Sequence, residues 1–289
     1  MCKCENVKMD LKNADAEYKL QIIRFDCWQE NSNHKNMRNK KINIGTSGWS
    51  YKHWKGGFYP EEMKPTDYLL FYTSHFDVTE INSSFYHLPK KTTVEQWTKK
   101  TSKQFRFCPK ISRYITHIKR LHEPEETVAR FFEVFEPMKE KMGPVLVQLP
   151  PSLKFNYDVA EHFYATLKKS FRDYSFAMEV RHETWMTEES LTLMSKYDMA
   201  FVISQSGDRF PYAETITAKN IYVRFHGPKE LYASSYTDEM LKNFADKFKK
   251  WISEGHYIWA FFNNDVYMHA LHNGEKLKQM TSRLMVKSA

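Results

Sequence analysis

Residues 42–59 read INIGTSGWSYKHWKGGFY, and this stretch decides how the rest of the chain fits together. Ile42 and Ile44, followed by the small Gly45 and Thr46, have the pattern of a short buried strand. The composition then changes abruptly. Gly48, Gly56 and Gly57 break the run, while Trp49, Tyr51, Trp54, Phe58 and Tyr59 crowd into a loop. Four of the nine glycines in the chain fall between Gly45 and Gly57, so backbone freedom is concentrated here. A loop this aromatic is expected to cover something.

Outward from this strand the chain keeps one beat of strand, loop and helix. Further strands are expected at 78–82, 105–110, 145–149, 176–181, 199–204, 221–226 and 257–262. A helix is expected over 65–75, with Thr66 as its N-cap. Thr92 and Glu95 form a capping box ahead of Val94 and Trp97. Pro124 opens a helix that buries Val128, Phe131, Phe132, Phe135 and Met138, and Pro137 is expected to kink it or end its regular part. A helix over 158–169 buries Val159, Phe163 and Leu167. Thr187 caps the next helix, and Thr237 starts another that stops at Gly255. Near-continuous apolar strands point to a parallel sheet covered on both faces. A count of eight points to closure as one α/β domain, a (β/α)₈ TIM barrel over 42–289. Gly207, Pro211 and small residues leave little room for a helix between strands six and seven. An open doubly wound sheet is the alternative.

The composition is 42% apolar and 27% charged, ordinary for a globular chain, and 16% aromatic, which is high. The formal net charge of +8 favours anionic partners by steering, although lysines scattered over solvated helices give the same sum. Cys2, Cys4, Cys27 and Cys108 do not make a disulfide framework, and Cys2 with Cys4 is half of a zinc motif at most. No apolar region follows Met1 and no run approaches the roughly 18 apolar residues of a membrane span, so a cytoplasmic location is expected. Residues 1–41 read as a poorly structured extension around one apolar island of Leu20, Ile22, Ile23, Phe25 and Trp28. Met37 stands just ahead of the first strand and is the expected start of the working protein.

Several stretches resemble the domain-of-unknown-function 72 family, also called YecE-like. They are INIGTSGWSYKHWKGGFYP, TEINSSFYHLP, FRFCPKISRYITHIKRL, GPVLVQLPPSLKF, FAMEVRHETW, YVRFHGP and FFNND, in that order between Ile42 and Asp265. The strings are long and compositionally odd, so the resemblance is specific. It implies a TIM barrel and supplies no reaction. Residues 1–41 lie outside it.

In such a barrel the chemistry sits at the C-terminal ends of the strands. Those ends carry Glu80 and Asn82, Lys110, Gln148, Glu179 and Arg181, Arg224 and His226, then Asn263 and Asp265. The strand period of two puts Glu80 with Asn82, Glu179 with Arg181, and Arg224 with His226 on common faces. One reading is an ion-pair plug, for example Glu179 with Arg224 or Glu80 with Lys110. The other is a site in which Glu80 or Glu179 transfers a proton, His226 shuttles it, and Lys110, Arg181 and Arg224 hold an anion. Asn82, Gln148, Asn263 and Asp265 would contact the ligand, and Trp49, Trp54 and Tyr86 would stack on it. The basic loop after strand three, with Arg113, His117, Lys119, Arg120 and His122, suits phosphate.

No cofactor is expected. His87, His182, His226, Glu80, Glu179 and Asp265 are suitable ligands for a divalent metal but lack recognised spacing. There is no P-loop, and GTSGW is too short for a dinucleotide fingerprint. The leading expectation is an enzyme that hydrolyses or isomerises a small polar, anionic, sugar-like or nucleotide-like substrate. A nucleic-acid-binding or repair protein and a non-catalytic ligand sensor are the alternatives. The N-terminal mass of the natural protein checks the Met37 start, and finding Met1, or Cys2 after Met removal, overturns it.

Overall fold

The computed structural model describes residues 41–286. The apolar island at 20–28, the three N-terminal cysteines and the start expected at Met37 lie outside the described residues. Eight parallel strands run β1 (Ile42–Thr46), β2 (Val78–Ile81), β3 (Arg106–Pro109), β4 (Val145–Gln148), β5 (Phe176–Glu179), β6 (Met199–Gln205), β7 (Asn220–Phe225) and β8 (Tyr257–Phe262). Their order in the sheet is β3-β2-β1-β8-β7-β6-β5-β4, which brings the first and last strands together as neighbours. The remaining seam, between β3 and β4, is held by single bridges: Ile111 N donates to Leu146 O at 2.9 Å and Gly143 N donates to Phe107 O at 2.8 Å. The sheet is therefore a nearly closed barrel with helices between its strands, and the open doubly wound alternative is ruled out.

Alternation along the strands builds two cores. Side chains of Val78, Cys108, Leu146, Ala177, Ala200, Val202, Tyr222 and Phe261 pack together inside the barrel. The opposite face of each strand packs on the outer helices. The helix Glu125–Phe135 buries Val128, Phe131, Phe132 and Phe135, and the helix Asp238–Ser253 buries Leu241, Phe244, Phe248 and Trp251. Local signals set several boundaries. Regular α-helix stops at Phe135 and continues as a tighter 3₁₀ turn through Pro137. Thr187 and Thr237 accept from Ser190 N and Met240 N as N-caps. No helix forms between β6 and β7.

Two helix starts differ from expectation. Asp67 N donates to Lys64 O in a turn, so the first helix is only Tyr68–Tyr72 and Thr66 does not cap it. The helix Lys91–Lys100, which follows a short one at Ser83–Tyr86, has Lys90 as N-cap, which leaves Thr92 inside the helix and no capping box. A helix after β8, His269–Val286, has no counterpart in the sequence expectations. Among the described residues, no helix is long and apolar enough to cross a membrane.

Gly45 shows why β1 needs its small residues. A Cβ there would sit 2.0 Å from the carbonyl oxygen of Val78 on β2. The Tyr72 hydroxyl bridges this tight seam, accepting from Thr46 N at 2.9 Å and donating to Val78 O at 3.1 Å. Gly45→Ala is expected to cost about 3 kcal/mol or more, because the clash is with backbone that cannot rotate away. Thermal unfolding measures it, and a melting temperature within a degree or two of wild type would contradict this account.

Candidate functional site

The top of the barrel interior is filled by charge. Arg224, from β7, is almost wholly buried and reaches two carboxylates on two other strands. Its Nη2 and Nε donate to Glu80 of β2 at 2.6 and 3.0 Å, and its Nη1 donates to Glu179 of β5 at 2.7 Å. Tyr222, two residues earlier on β7, donates its hydroxyl to Glu80 at 2.8 Å. Glu179 also accepts from Arg181 at 2.7 Å and from Ser204 at 3.0 Å. Two carboxylates and two guanidinium groups make a neutral quartet, the arrangement that lets charge survive burial. Burial pushes the Glu179 carboxyl upward, but Arg181 and then Arg224 outweigh it and hold the group well below its ordinary value.

His226 extends the network. Its Nε2 lies 3.0 Å from Glu179 and its Nδ1 lies 3.1 Å from the Asn263 amide. Burial first, and Arg224 second, lower its pKa to about 4, so the ring is neutral at neutral pH. Because Glu179 is ionised, Nε2 carries the proton, and Nδ1 accepts from Asn263.

Above this floor opens a cavity of about 600 Å³. Tyr51, His53, Asn82, Phe85, Tyr86, Lys110, His117, Gln148, Arg224, Tyr232, Asn263, Asp265 and Val266 line it. Two of its groups are tuned toward neutral pH from opposite sides. Lys110 Nζ donates to Gln148 Oε1 at 2.7 Å and lies 3.9 Å from the Phe85 ring centroid, with no carboxylate in ion-pair range among the described residues. Burial, then Arg224, pull its pKa down to about 7. Asp265 accepts from Trp54 Nε1 at 2.8 Å and meets His53 Nε2 at 2.8 Å. Burial raises its pKa to about 6 against both of those contacts. His117 is held down at about 4 by burial and then by Lys110, Arg113 and Arg181, which marks that wall as electropositive.

The sequence profile of the family described as "Protein of unknown function DUF72" matches residues 43–288. The chain belongs to the DUF72 family. Among curated DUF72-type relatives, UPF0759 protein YunF of Bacillus subtilis is 24% identical over 272 residues, covering 83% of this chain and 94% of that one. UPF0759 protein YecE of Escherichia coli K12 is 30% identical over 155 residues, so the chain spans about half the length of that relative, 53% of each. The crystal structure of a DUF72 family protein from Thermotoga maritima superposes with a TM-score of 0.76 at 29% identity, covering 84% of this chain and 100% of that one. A DUF72 protein from Enterococcus faecalis gives 0.72 at 20% identity over 83% and 95%, a likeness of fold.

Within this DUF72 barrel the residues expected at the mouth divide into floor, wall and core. Glu80, Glu179 and His226, expected to transfer protons, are fully buried in the floor and are not among the residues that line the cavity. The Glu179–Arg224 ion pair exists, whereas Glu80 pairs with Arg224 in place of Lys110. Asn82, Tyr86, Lys110, Gln148, Arg224, Asn263 and Asp265 do line the cavity. Arg181 lies outside the lining, stacked on Phe210 at 3.6 Å. Trp49 and Trp54, expected as stacking surfaces, are core. Trp49 packs edge-on against Trp97 at 5.2 Å, and Trp54 is fully buried with its indole N–H turned to Asp265. The basic loop forms a short π-helix, Tyr114–Ile118. From it only His117 lines the cavity, Arg113 is exposed, Lys119 pairs with Glu123, and Arg120 donates to Ser152.

Among the described residues, no three His, Cys, Asp or Glu side chains are grouped as a metal would need. His53 has no counterpart among the expected site residues. Its only sequence signal is its place in the loop after β1, and its partner Asp265 lies 212 positions away.

Removing Arg224 tests the floor. Arg224→Met leaves the buried Glu80 without a cation and Glu179 with Arg181 alone, and is expected to cost about 3–5 kcal/mol. Glu80→Gln added to Arg224→Met removes the stranded charge and should recover part of the loss. Chemical denaturation reads both, and full stability in the single variant would show that the quartet carries no such weight.

Proposed function

We propose that the barrel mouth binds a small, polar, anionic compound of the sugar-phosphate or nucleotide class and acts on it by proton transfer, as a hydrolase or isomerase. The observation that carries the reading is one cavity lined by a lysine without a carboxylate partner and, elsewhere on its wall, a carboxylate that accepts from an indole and lies 2.8 Å from a histidine nitrogen. Lys110 attracts the anionic group, because Glu80 and Glu179 are already committed to arginines. Asn82, Gln148 and Asn263 offer amides suited to hydroxyl groups, and Tyr51, Phe85, Tyr86 and Tyr232 offer flat surfaces for a sugar or base.

Asp265 is the carboxylate suited to proton transfer. Its pKa near 6 lets it hold or release a proton around neutral pH, and His53 Nε2 lies 2.8 Å from it. This reassigns the carboxylate role from the sealed Glu80 and Glu179 to a residue that faces the ligand. The exposed basic loop adds no comparable support for a nucleic-acid reading, since Lys119 and Arg120 are engaged within the protein.

Calorimetric titration with a panel of sugar phosphates and nucleoside monophosphates tests the binding. At least one should bind more tightly than its uncharged parent. Lys110→Gln should weaken it at least tenfold, a change of about 1.4 kcal/mol. The sign of the pH dependence follows from Lys110. The amine is charged below pH 7 and neutral above it, so affinity should fall between pH 6 and pH 8. Turnover of the bound compound should be lost in Asp265→Asn. If no member of the panel binds, or if phosphate adds nothing to affinity, the reading fails.

A further inference from the structure

We propose that Lys110 is a covalent nucleophile whose amine forms an imine with an aldehyde or ketone substrate carrying an anionic group. The inference rests on the binding site described above and names the substrate class for it. It starts from the position of the amine. Lys110 follows β3, is 7% exposed, and places Nζ on the wall of the 600 Å³ cavity. The amine has one hydrogen-bond partner, the neutral Gln148 amide oxygen, and the Phe85 ring against its side. A structural lysine at such depth is ordinarily neutralised by a carboxylate. Two carboxylates are close enough to affect it, Glu179 on β5 and Glu80 on β2, but each is held by arginine.

The other charged groups that act on Lys110 are Arg224 on β7 and Arg181 after β5, and both favour the neutral amine; Lys110 in turn depresses the neighbouring His117. Partial desolvation beside other cations is the arrangement that makes a lysine nucleophilic. With a pKa near 7, about half of the amine is unprotonated at neutral pH, against roughly one part in 2,500 for an ordinary lysine of pKa about 10.4.

The step is balanced within the site. The nitrogen lone pair forms the N–C bond, and the carbonyl π pair moves to oxygen. One proton passes from nitrogen to that oxygen, and a second, from the cavity's acid–base groups or solvent, lets it leave as water. The product is a protonated imine. The iminium keeps a positive charge at this position, so the attraction for an anionic substrate persists. It also accepts the electron pair when a bond on the adjacent carbon breaks, which suits isomerisation at a carbonyl better than hydrolysis.

Reductive trapping tests the proposal on the full-length protein. Glyceraldehyde 3-phosphate is the carbonyl probe, sodium cyanoborohydride supplies the hydride, and peptide mass mapping locates the adduct. At pH 7, Lys110 should be modified at least tenfold faster than exposed lysines such as Lys55 and Lys139. Its rate should level off above about pH 7 while theirs keep rising. Lys110→Arg should lose this adduct alone. Gln148→Glu sets a carboxylate beside Nζ, so it should slow trapping at pH 7 and restore it at pH 9, a pattern that a merely damaged fold would not produce.

Glycerol 3-phosphate, which has the anion but no carbonyl, separates the two readings. If it binds at the mouth and Lys110 is trapped no faster than surface lysines, imine formation is overturned and the binding site stands. If neither compound binds, both readings fall.

Discussion

Arg224 is the group on which the upper half of the barrel depends. It joins β7 to β2 and β5, three strands that are not neighbours in the sheet, through one guanidinium. A planar fork with five donors can satisfy two carboxylates at once, which an ammonium cannot do with the same geometry. Tyr222, Ser204, Arg181 and His226 occupy the remaining acceptor positions, so the charges are paired and the network has directions. Such a plug adds little net stability compared with apolar packing. It fixes a polar floor at one height in the barrel, and the cavity opens on top of it.

The floor also sets the chemistry of the walls. Two carboxylates satisfied by two arginines leave no acid for Lys110, and the arginines' positive charge favours its neutral form. On another part of the wall, burial raises the Asp265 pKa to about 6 despite His53 and Trp54. A lysine moved down and an aspartate moved up meet near neutral pH. Groups brought toward neutral pH in this way are the ones on which the proposed proton transfer rests.

Much of this was legible in the residue pattern because it depends on local periods. The eight strands, the missing helix after β6, the caps at Thr187 and Thr237 and the stop at Pro137 each follow from a few adjacent residues. The pairing of Glu179 with Arg224 was also legible, since inward-facing charges at strand ends have few partners. The aromatic loop after β1 was not. Trp49 and Trp54 have the composition of a ligand wall, but whether an indole faces solvent, ligand or core depends on what the neighbouring segments present. Here Trp97, Phe107 and Asp265 take them inward. Likewise, Thr92 and Glu95 match a capping motif, yet the helix begins before them at Lys91.

By itself the sequence determined the barrel, its strand faces and the set of polar residues delivered to its mouth, because periods of two and 3.6 residues are local properties of the chain. Only the tertiary structure decided which of those residues became floor and which became wall. Closure makes β1 and β8 hydrogen-bonded neighbours and so brings His53 and Trp54 to Asp265, across more than two hundred residues. It also lets Arg224 claim both Glu80 and Glu179, leaving Lys110 and Asp265 to face the cavity. Partner choice among buried charges depends on distance and desolvation in three dimensions, and neither is encoded in residue spacing.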